Sequence, residues 1–310
     1  MYAKGLTFNK ISRHARALLF STVSIGAFFL GSSAQAVNVD PGDYLAPPSG
    51  TNLALLYLQH AASHSANITG SGAGTGDINH GTSLTTDVAI ARFVHYTDIG
   101  GTLLAPQILL PTADIHHASL GGTRLNDASG VGDPILALPV WLVNNPSHNQ
   151  YLGFSPYLFI PAGTYHSNQS LNVGENRWKG NFQGSYIQGL SSKWTAEFTA
   201  DVTVYGDNSS AGNGHQTLSQ QESYQLQPYL KYAVTDHTVL SVGYNQTFGG
   251  KQEVANQNNG FRTEEGQARL VAQYNVSPTF NVEALVARDL YVRGGFKEDG
   301  RLNLRFLQAF

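Results

Sequence analysis

The final ten residues, Arg301-Leu-Asn-Leu-Arg-Phe-Leu-Gln-Ala-Phe310, decide the fold class. Leu302, Leu304, Phe306 and Phe310 share one parity, which Gln308 interrupts, and Arg301, Asn303 and Arg305 share the other. A period of two indicates a β-strand with one apolar and one polar face. A soluble protein seldom leaves such a strand at its terminus, because the free edge invites aggregation, whereas a closed barrel pairs its last strand with its first. The ending therefore favours an outer-membrane β-barrel over the edge strand of a soluble β-sandwich.

The other end of the chain predicts export. Lys4, Lys10, Arg13 and Arg16 precede an apolar run from residue 17 to 30, and Ala34-Gln35-Ala36 supplies small residues for cleavage. This pattern is typical of a Sec-type signal peptide over residues 1–36, since the run is too short and too rich in Ser and Thr for a spanning helix. Residues 37–50, with three prolines, are predicted to be an irregular periplasmic lead-in, and residues 51–310 the barrel.

Composition excludes some functions and suits a barrel. Of the 18 Lys and Arg residues, four precede residue 36, where no Asp or Glu occurs, so the remaining chain has 14 cations against 21 anions. This acidic balance disfavours a nucleic-acid partner. The chain has no cysteine, so disulfides cannot stabilise it outside the cytoplasm. Its 33 glycines and 13 % charged residues are typical of transmembrane barrels, in which apolar and polar residues alternate.

The connections between strand-like segments give the strongest indication of an up-and-down barrel. About twelve segments are predicted, at residues 51–67, 82–96, 102–112, 132–143, 150–163, 177–188, 194–205, 221–233, 238–248, 263–275, 279–291 and 300–310. The connections alternate between long polar ones, near 68–81, 113–131, 164–176, 206–220, 249–262 and 292–299, and short ones. Outer-membrane barrels have long extracellular loops, short periplasmic turns and an even number of strands. The pattern therefore predicts an all-β, antiparallel transmembrane barrel with both chain ends in the periplasm.

Charged side chains on the polar parity are predicted to face the lumen, because a charge that faces lipid costs about 2–4 kcal/mol at the midplane. The candidates for a charged wall along a substrate path are Arg177, Lys179, Glu197, Asp201, Arg269, Glu283, Asp289, Arg301 and Arg305. A hairpin around Ser191 would bring Arg177 and Lys179 near Asp201. Such a wall is able to filter solutes, as rings of charge do in pores. The alternative is a structural network of salt bridges that fills the lumen.

The segments from 102 to 163 are apolar on both parities and contain six prolines, at positions 106, 111, 134, 139, 156 and 161. Since proline cannot donate to a strand ladder, this sector of the wall is predicted to kink. Its apolar side chains cannot all face lipid, so some are expected to line the lumen or to pack against an inward-folded loop. Leu109, Trp141 and Phe154 are the candidates for an apolar stripe along the substrate path.

Four stretches carry a resemblance to a known family: Asp43-Tyr-Leu-Ala-Pro-Pro-Ser-Gly-Thr51, Val131-Gly-Asp-Pro-Ile-Leu136, Leu158-Phe-Ile-Pro-Ala-Gly-Thr-Tyr165 and Leu171-Asn-Val-Gly-Glu-Asn-Arg-Trp178. They resemble the transporter-like outer-membrane proteins associated with the MetA pathway of phenol degradation. The resemblance spans most of the chain after the signal peptide. It implies an outer-membrane barrel that takes up small hydrophobic substrates, and it supplies no catalytic motif.

These observations predict a passive outer-membrane channel for small hydrophobic or aromatic compounds, with an apolar stripe opposite a charged wall. The alternatives are a structural or adhesion barrel, a general porin and a lipid hydrolase at the rim. The hydrolase would need an oriented Ser–His pair, and the histidines at 64, 116 and 117 form no such motif. No enzymatic activity, metal or cofactor is predicted. The expected partners are outer-membrane lipid and lipopolysaccharide, the barrel-assembly machinery through the last strand, and the solute.

Overall fold

The computed structural model describes residues 30–31, 38–69 and 76–310. The described residues form a closed antiparallel barrel of twelve strands, as predicted. In chain order the barrel strands are β1 (Asn52–Ile68), β2 (Ser83–His95, continued by Thr97–Ile99), β3 (Thr102–Leu104 and Gln107–Leu120), β4 (Ile135–Ala137 and Val140–Asn145), β5 (Gln150–Phe159), β6 (Lys179–Gly189), β7 (Trp194–Tyr205), β8 (Ser223–Ala233), β9 (Thr238–Gly249), β10 (Glu264–Ser277), β11 (Phe280–Arg293) and β12 (Gly295–Ala309). The predicted signal peptide lies outside the described residues, except for Leu30–Gly31, a short strand parallel to Leu171–Asn172.

The barrel closes between its first and last strands. Leu53 pairs with Ala309, and the antiparallel ladder continues to Asn67 and Gly295. At its end Asn52 N–H donates to the carbonyl of Phe310 at 2.9 Å, and Phe310 N–H donates back to Asn52 at 3.0 Å. Every strand therefore has two neighbours, which removes the unpaired edges that lipid could not satisfy.

Removal of Phe310 should reduce barrel assembly, because this residue makes the last two backbone hydrogen bonds of the closure and its ring is 71 % exposed on the outside. We expect the truncated chain to give less heat-modifiable, folded barrel on electrophoresis than the full chain. Replacement of Gln308, also on the outer parity, by Leu serves as the control and should not lower the folded fraction. Wild-type assembly of the truncated chain would contradict this role for the terminal residue.

Side-chain alternation separates the lumen from the outer surface. On β7, Glu197, Thr199 and Asp201 are buried inside the barrel, whereas Trp194 and Phe198 on the other parity are exposed. The apolar outward parity suits contact with lipid, and the polar parity is covered by other lumen side chains. This arrangement follows from the period of two, as predicted.

Prolines kink the sector formed by β3 and β4. β3 is interrupted at Pro106 and β4 at Pro139, and the Ala105 N–H donates to the Pro139 carbonyl at 2.9 Å, so the two breaks lie side by side. Proline removes one donor from the ladder, and adjacent breaks let both strands bend together. The predicted kink is therefore present.

The loops differ from expectation at two places. β3 continues to Leu120 and pairs with Ala128–Val131, within a region predicted to be a loop. The predicted loop at 292–299 is a tight turn, because Gly294 adopts a φ of 77° that favours glycine. The loop strands are Gly76–Ile78, Thr123–Arg124, Ala128–Val131, Leu171–Asn172 and a small sheet of Asn208–Ala211, Gln216–Gln220, Gln252–Val254 and Gln257–Asn258; Pro146–His148 form a 3-10 helix. Among the described residues, no helix is long and apolar enough to cross a membrane.

Candidate solute site in the barrel lumen

A segment ahead of the first strand lies inside the barrel. Residues 38–44 are here called the N-terminal plug. They enter the lumen from the end of the barrel that carries the short turns, the start of β1 and the end of β12. Val39 and Tyr44 are each only 4 % exposed. The plug has no strand or helix, so its sequence looked like an external lead-in. Its polar groups bind lumen side chains instead, and these contacts place the plug in the lumen, inside the barrel.

Two lumen arginines hold the plug through its carboxylates. Asp43 lies 3.0 Å from Nη1 of Arg92 on β2 and 3.0 Å from Nη1 of Arg305 on β12, and it therefore bridges two strands. Arg305 also contacts Asp40 at 3.4 Å and Glu283 on β11 at 2.8 Å. Such charges are stable away from water only when they are paired and hydrogen-bonded. The plug and the wall thus satisfy each other's charges.

An aromatic anchor completes the contact between plug and wall. The Tyr44 hydroxyl lies 2.7 Å from Ser155 Oγ, and the Trp141 indole N–H donates to the Tyr44 carbonyl at 2.9 Å. The Tyr44 ring occupies the space beside Gly153, where an added Cβ would approach Tyr44 Cδ1 to 2.5 Å. Only glycine at this position leaves room for the ring.

A packed polar network fills the side of the lumen formed by β6 to β9. Gln225 Nε2 donates to Asn245 Oδ1 at 2.7 Å, and Asn181 Nδ2 donates to Asp201 Oδ1 at 2.8 Å. The members that are at most 2 % exposed are Asn181, Gln183, Thr199, Thr203, Ser223, Gln225, Gln227, Asn245 and Thr247. Because these side chains are buried against one another, the described residues narrow this half of the lumen.

A cavity of about 160 Å³ occupies the opposite side of the lumen, along β1 to β5 and β12, with Lys179 at the start of β6. Its apolar wall includes Val88, Ile90, Leu109, Pro111, Ala113, Ile115, Ile135 and Phe159. Asn38 and Asp40 of the plug line it towards the short-turn end, and the loop residues Val173 and Glu175 line it towards the long-loop end. The cavity therefore lies between the plug and the loops.

The cations around the cavity are paired. Arg92 contacts Asp43, Arg301 lies 2.5 Å from Glu298, and Lys179 contacts Glu175, which also lies 2.6 Å from Arg177. Burial raises the pKa of Glu175, but Lys179 and Arg177 outweigh burial and hold it at about 2. Glu175 is therefore ionised at neutral pH and closes this charge cluster at the long-loop end.

The predicted charged residues all lie on the lumen side, but they do not form one wall. Lys179 and Arg301 line the cavity, and Arg177 supports it through Glu175. The other candidates form salt bridges or hydrogen bonds with other partners: Glu197 with Lys231, Asp201 with the packed network, Arg269 with Asn38, Glu283 with Arg305, Asp289 with Gln267, and Arg305 with the plug. In most of the lumen, charged side chains therefore pair with near neighbours. This arrangement corresponds to the predicted alternative, a structural network of salt bridges.

The apolar candidates divide between three places. Leu109 lines the cavity, and Trp141 holds the plug. Phe154 faces outward and is 42 % exposed, because Gly153 and Ser155 take the inward positions of β5. The assignment of Phe154 to the substrate path is therefore corrected.

The predicted proximity of Arg177 and Lys179 to Asp201 is also corrected. In the hairpin of β6 and β7, Lys179 pairs with Tyr205, whereas Asp201 pairs with Gln183, four residues further along β6. The two cations bind Glu175 in the preceding loop instead. Parity alone places a side chain in the lumen, but register determines its partner.

Several site residues escaped the sequence prediction. Arg92 and Glu175 were not singled out, and neither were Asp40 and Asp43 of the plug. The available signal was the pair of carboxylates flanking Pro41-Gly42 in a stretch otherwise poor in charge. Two carboxylates near a lumen with many arginines are a reason to test an inward position.

Comparison with known proteins agrees with this architecture. Residues 65–306 match a family model described as "Putative MetA-pathway of phenol degradation". The crystal structure of an outer membrane channel from Pseudomonas putida F1 is 34 % identical, covers 88 % of this chain and 100 % of its own, and has a TM-score of 0.81. The toluene transporter TodX from Pseudomonas putida aligns over 92 % of this chain and 96 % of its own at 9 % identity and a TM-score of 0.45, which is too remote for an argument. Among curated proteins none matches significantly.

Proposed function

Because the chain belongs to the family described as putative MetA-pathway of phenol degradation, we propose that it is a passive outer-membrane channel for small hydrophobic or aromatic compounds. Its barrel is similar to that of an outer membrane channel, which supports a transport role. The proposed route runs along the apolar side of the lumen, past Leu109, rather than between two charged walls. The protein reaches the outer membrane of a Gram-negative bacterium through its signal peptide and the barrel-assembly machinery, and lipid and lipopolysaccharide surround it there.

The observation that carries this proposal is the size and chemistry of the cavity. An apolar cavity of about 150 Å³ is large enough to bind benzene. The cavity here has about 160 Å³ and one mainly apolar wall, so its volume accommodates one aromatic ring. Burial of the ring in the cavity replaces its contacts with water by apolar contacts. This burial is favourable by about 25 cal/mol per Å² of apolar surface. A hydrated sugar or ion gains nothing comparable from this wall.

Passive transport requires that the solute bind and leave without an energy source. One ring buried in a small cavity provides modest affinity, and the plug then determines the exit towards the short-turn end. A general porin instead needs a continuous water-filled path. The packed network of β6 to β9 narrows any such path.

Uptake of dilute radiolabelled toluene by cells tests the proposal. Cells that produce the protein should accumulate toluene faster than cells with an empty vector, whereas liposomes containing the purified barrel should swell slowly in sugar solutions. Rapid swelling in sugars without a preference for aromatics would favour a general porin. No gain in toluene uptake and no swelling would favour a structural barrel, and either result would overturn the proposal.

A further inference from the structure

One arginine on the barrel strands faces outward without a protein partner. Arg288 on β11 has the parity of Val286, which is 50 % exposed, whereas the neighbouring Asp289 points into the lumen and is 2 % exposed. The Arg288 side chain is itself exposed, and among the described residues it makes no ion pair or hydrogen bond. A charge that faces lipid is costly, so an unpaired outward arginine marks a candidate contact with an anion.

The strand register places Arg288 where the outer surface changes from apolar to polar. One outward row crosses β9 to β12 and is entirely apolar: Val242, Leu270, Val286 and Leu302. In the next row towards the long loops, Arg288 pairs with Ala268, which pairs with Tyr244. The row above that one contains Gln246, Gly266 and Tyr291. Arg288 is therefore the first charged group above the apolar surface on these strands.

Two tyrosines and a height estimate identify this change as the boundary of the lipid hydrocarbon. The hydroxyls of Tyr244 and Tyr291 donate to Gln246 Oε1 at 3.0 and 2.7 Å, and such rings with polar tips are typical of the membrane–water boundary. Arg288 lies eight residues beyond Phe280 at the short-turn end. At about 3.3 Å per residue and a tilt of about 40°, this is a height of about 20 Å within an apolar band about 25 Å tall. The long Arg288 side chain therefore reaches the headgroups of the extracellular leaflet.

The carboxylates nearest to Arg288 in the register have other partners. Glu264 is shared by Arg262 and Arg293 and lies 2.9 Å from Arg293 Nη1. Asp299 pairs with a histidine on β1 at 2.8 Å. On β1 to β3, by contrast, one outward row is acidic and consists of His60, Asp87 and Asp114. The charge distribution thus favours an anionic ligand at β10 to β12 and disfavours one at β1 to β3.

We propose that the outer face of β10 to β12 binds lipid A, the phosphorylated glycolipid of the extracellular leaflet, and that Arg288 contacts one of its phosphates. A guanidinium group is able to donate two parallel hydrogen bonds to phosphate oxygens. The small Ala268 and Gly300 flank Arg288 in the register, and a Cβ added at Gly300 would meet nothing within 4 Å, so the headgroup has space. The acyl chains pack on the exposed Leu270 and Val286 below. This inference rests on the proposed outer-membrane location and is independent of the solute.

Native mass spectrometry of the purified barrel tests the inference with three lipids: diphosphoryl lipid A, the same lipid A without its phosphates, and phosphatidylglycerol. EDTA is present, because divalent cations would otherwise bridge phosphates to carboxylates. The wild-type barrel should bind diphosphoryl lipid A about tenfold more tightly than the dephosphorylated form, as expected for charge-assisted hydrogen bonds. Equal binding of these two forms would overturn the inference. Binding of phosphatidylglycerol as tight as that of diphosphoryl lipid A would overturn the assignment to lipid A.

Three variants separate the role of Arg288 from a general effect of surface charge. Arg288→Gln should abolish the preference for the phosphorylated form, and Arg288→Lys should retain part of it, because lysine keeps the charge without the planar fork. Arg124→Gln is the matched control, since it removes the same charge from the loop between β3 and β4, where the Arg124 side chain is 82 % exposed. A preference that survives Arg288→Gln, or that Arg124→Gln abolishes as well, would contradict the role of Arg288.

The outcome is distinguishable from that of the proposed channel function. Loss of lipid A discrimination with normal toluene uptake overturns only the lipid site, and absence of toluene uptake with normal discrimination overturns only the channel. Because Arg288 points away from the lumen, Arg288→Gln should leave toluene uptake unchanged. The wild-type comparison of the two forms of lipid A decides even where a variant fails to fold.

Discussion

Val88→Asp should abolish most aromatic uptake while the barrel assembles normally. Val88 lies on the apolar wall of the cavity, is partly exposed, and has a short branched side chain similar in shape to that of Asp. The substitution therefore changes polarity rather than shape. A carboxylate in this wall holds water that an aromatic ring must displace, at a cost of at least about 1–3 kcal/mol, the range for an uncharged polar group. We expect toluene uptake by cells to fall about tenfold.

The matched control for Val88→Asp is Asp201→Asn. Asp201 is also a lumen residue, but it belongs to the packed network and bonds to Asn181 rather than lining the cavity. Its nearly isosteric replacement should leave toluene uptake unchanged. Wild-type uptake by correctly assembled Val88→Asp protein would contradict an apolar route. Equal losses in both variants would indicate a general disturbance of the lumen.

Deletion of residues 38–44 should open the barrel to water and ions. The plug occupies the lumen at the short-turn end, and its removal leaves the wall hydrogen bonds of β1 to β12 intact. Arg92 and Arg305 lose Asp43, and they then attract anions into a wider opening. We expect single-channel conductance in planar bilayers to rise about fivefold, in keeping with the lumen of a twelve-stranded barrel. Swelling of liposomes in sugar solutions should rise with it.

A charge-matched comparison connects this effect to the plug. Asp43→Asn weakens both contacts to the arginines and should produce brief, frequent openings of intermediate size. Asp98→Asn removes the same charge from an exposed position beside a short turn at the same end of the barrel and should leave conductance unchanged. Wild-type conductance in the deletion variant would show that the plug does not restrict the lumen.

Periodicity explains why most of the wall was predictable. A strand with one face towards lipid must alternate, so parity placed Glu197, Asp201 and Arg305 in the lumen correctly. The long and short connections then ordered the strands, and Leu302 to Phe310 identified the closing edge. Parity failed at Phe154, because β5 has apolar residues on both faces and nothing in the sequence shows that Gly153 makes space for Tyr44.

The plug and the cavity were not predictable for a different reason. Residues 38–44 lack a period, and their partners are remote in sequence: Asn38 bonds to Arg269 and Asp40 lies beside Arg305. The charge pairs depend on register, which parity does not determine. The sequence therefore predicted the apolar stripe at Leu109. It did not show that Gln225 and its neighbours pack closely enough to narrow the polar half of the lumen.

The most direct measurement is the position of a heavy-atom aromatic in crystals of the protein. Crystals soaked in 4-bromophenol should show one anomalous bromine peak in the cavity, with the ring between Val88 and Leu109. Bromine peaks confined to the lipid-facing surface, or an empty cavity at saturating 4-bromophenol, would contradict the proposal that aromatic solutes pass along the apolar side of the lumen.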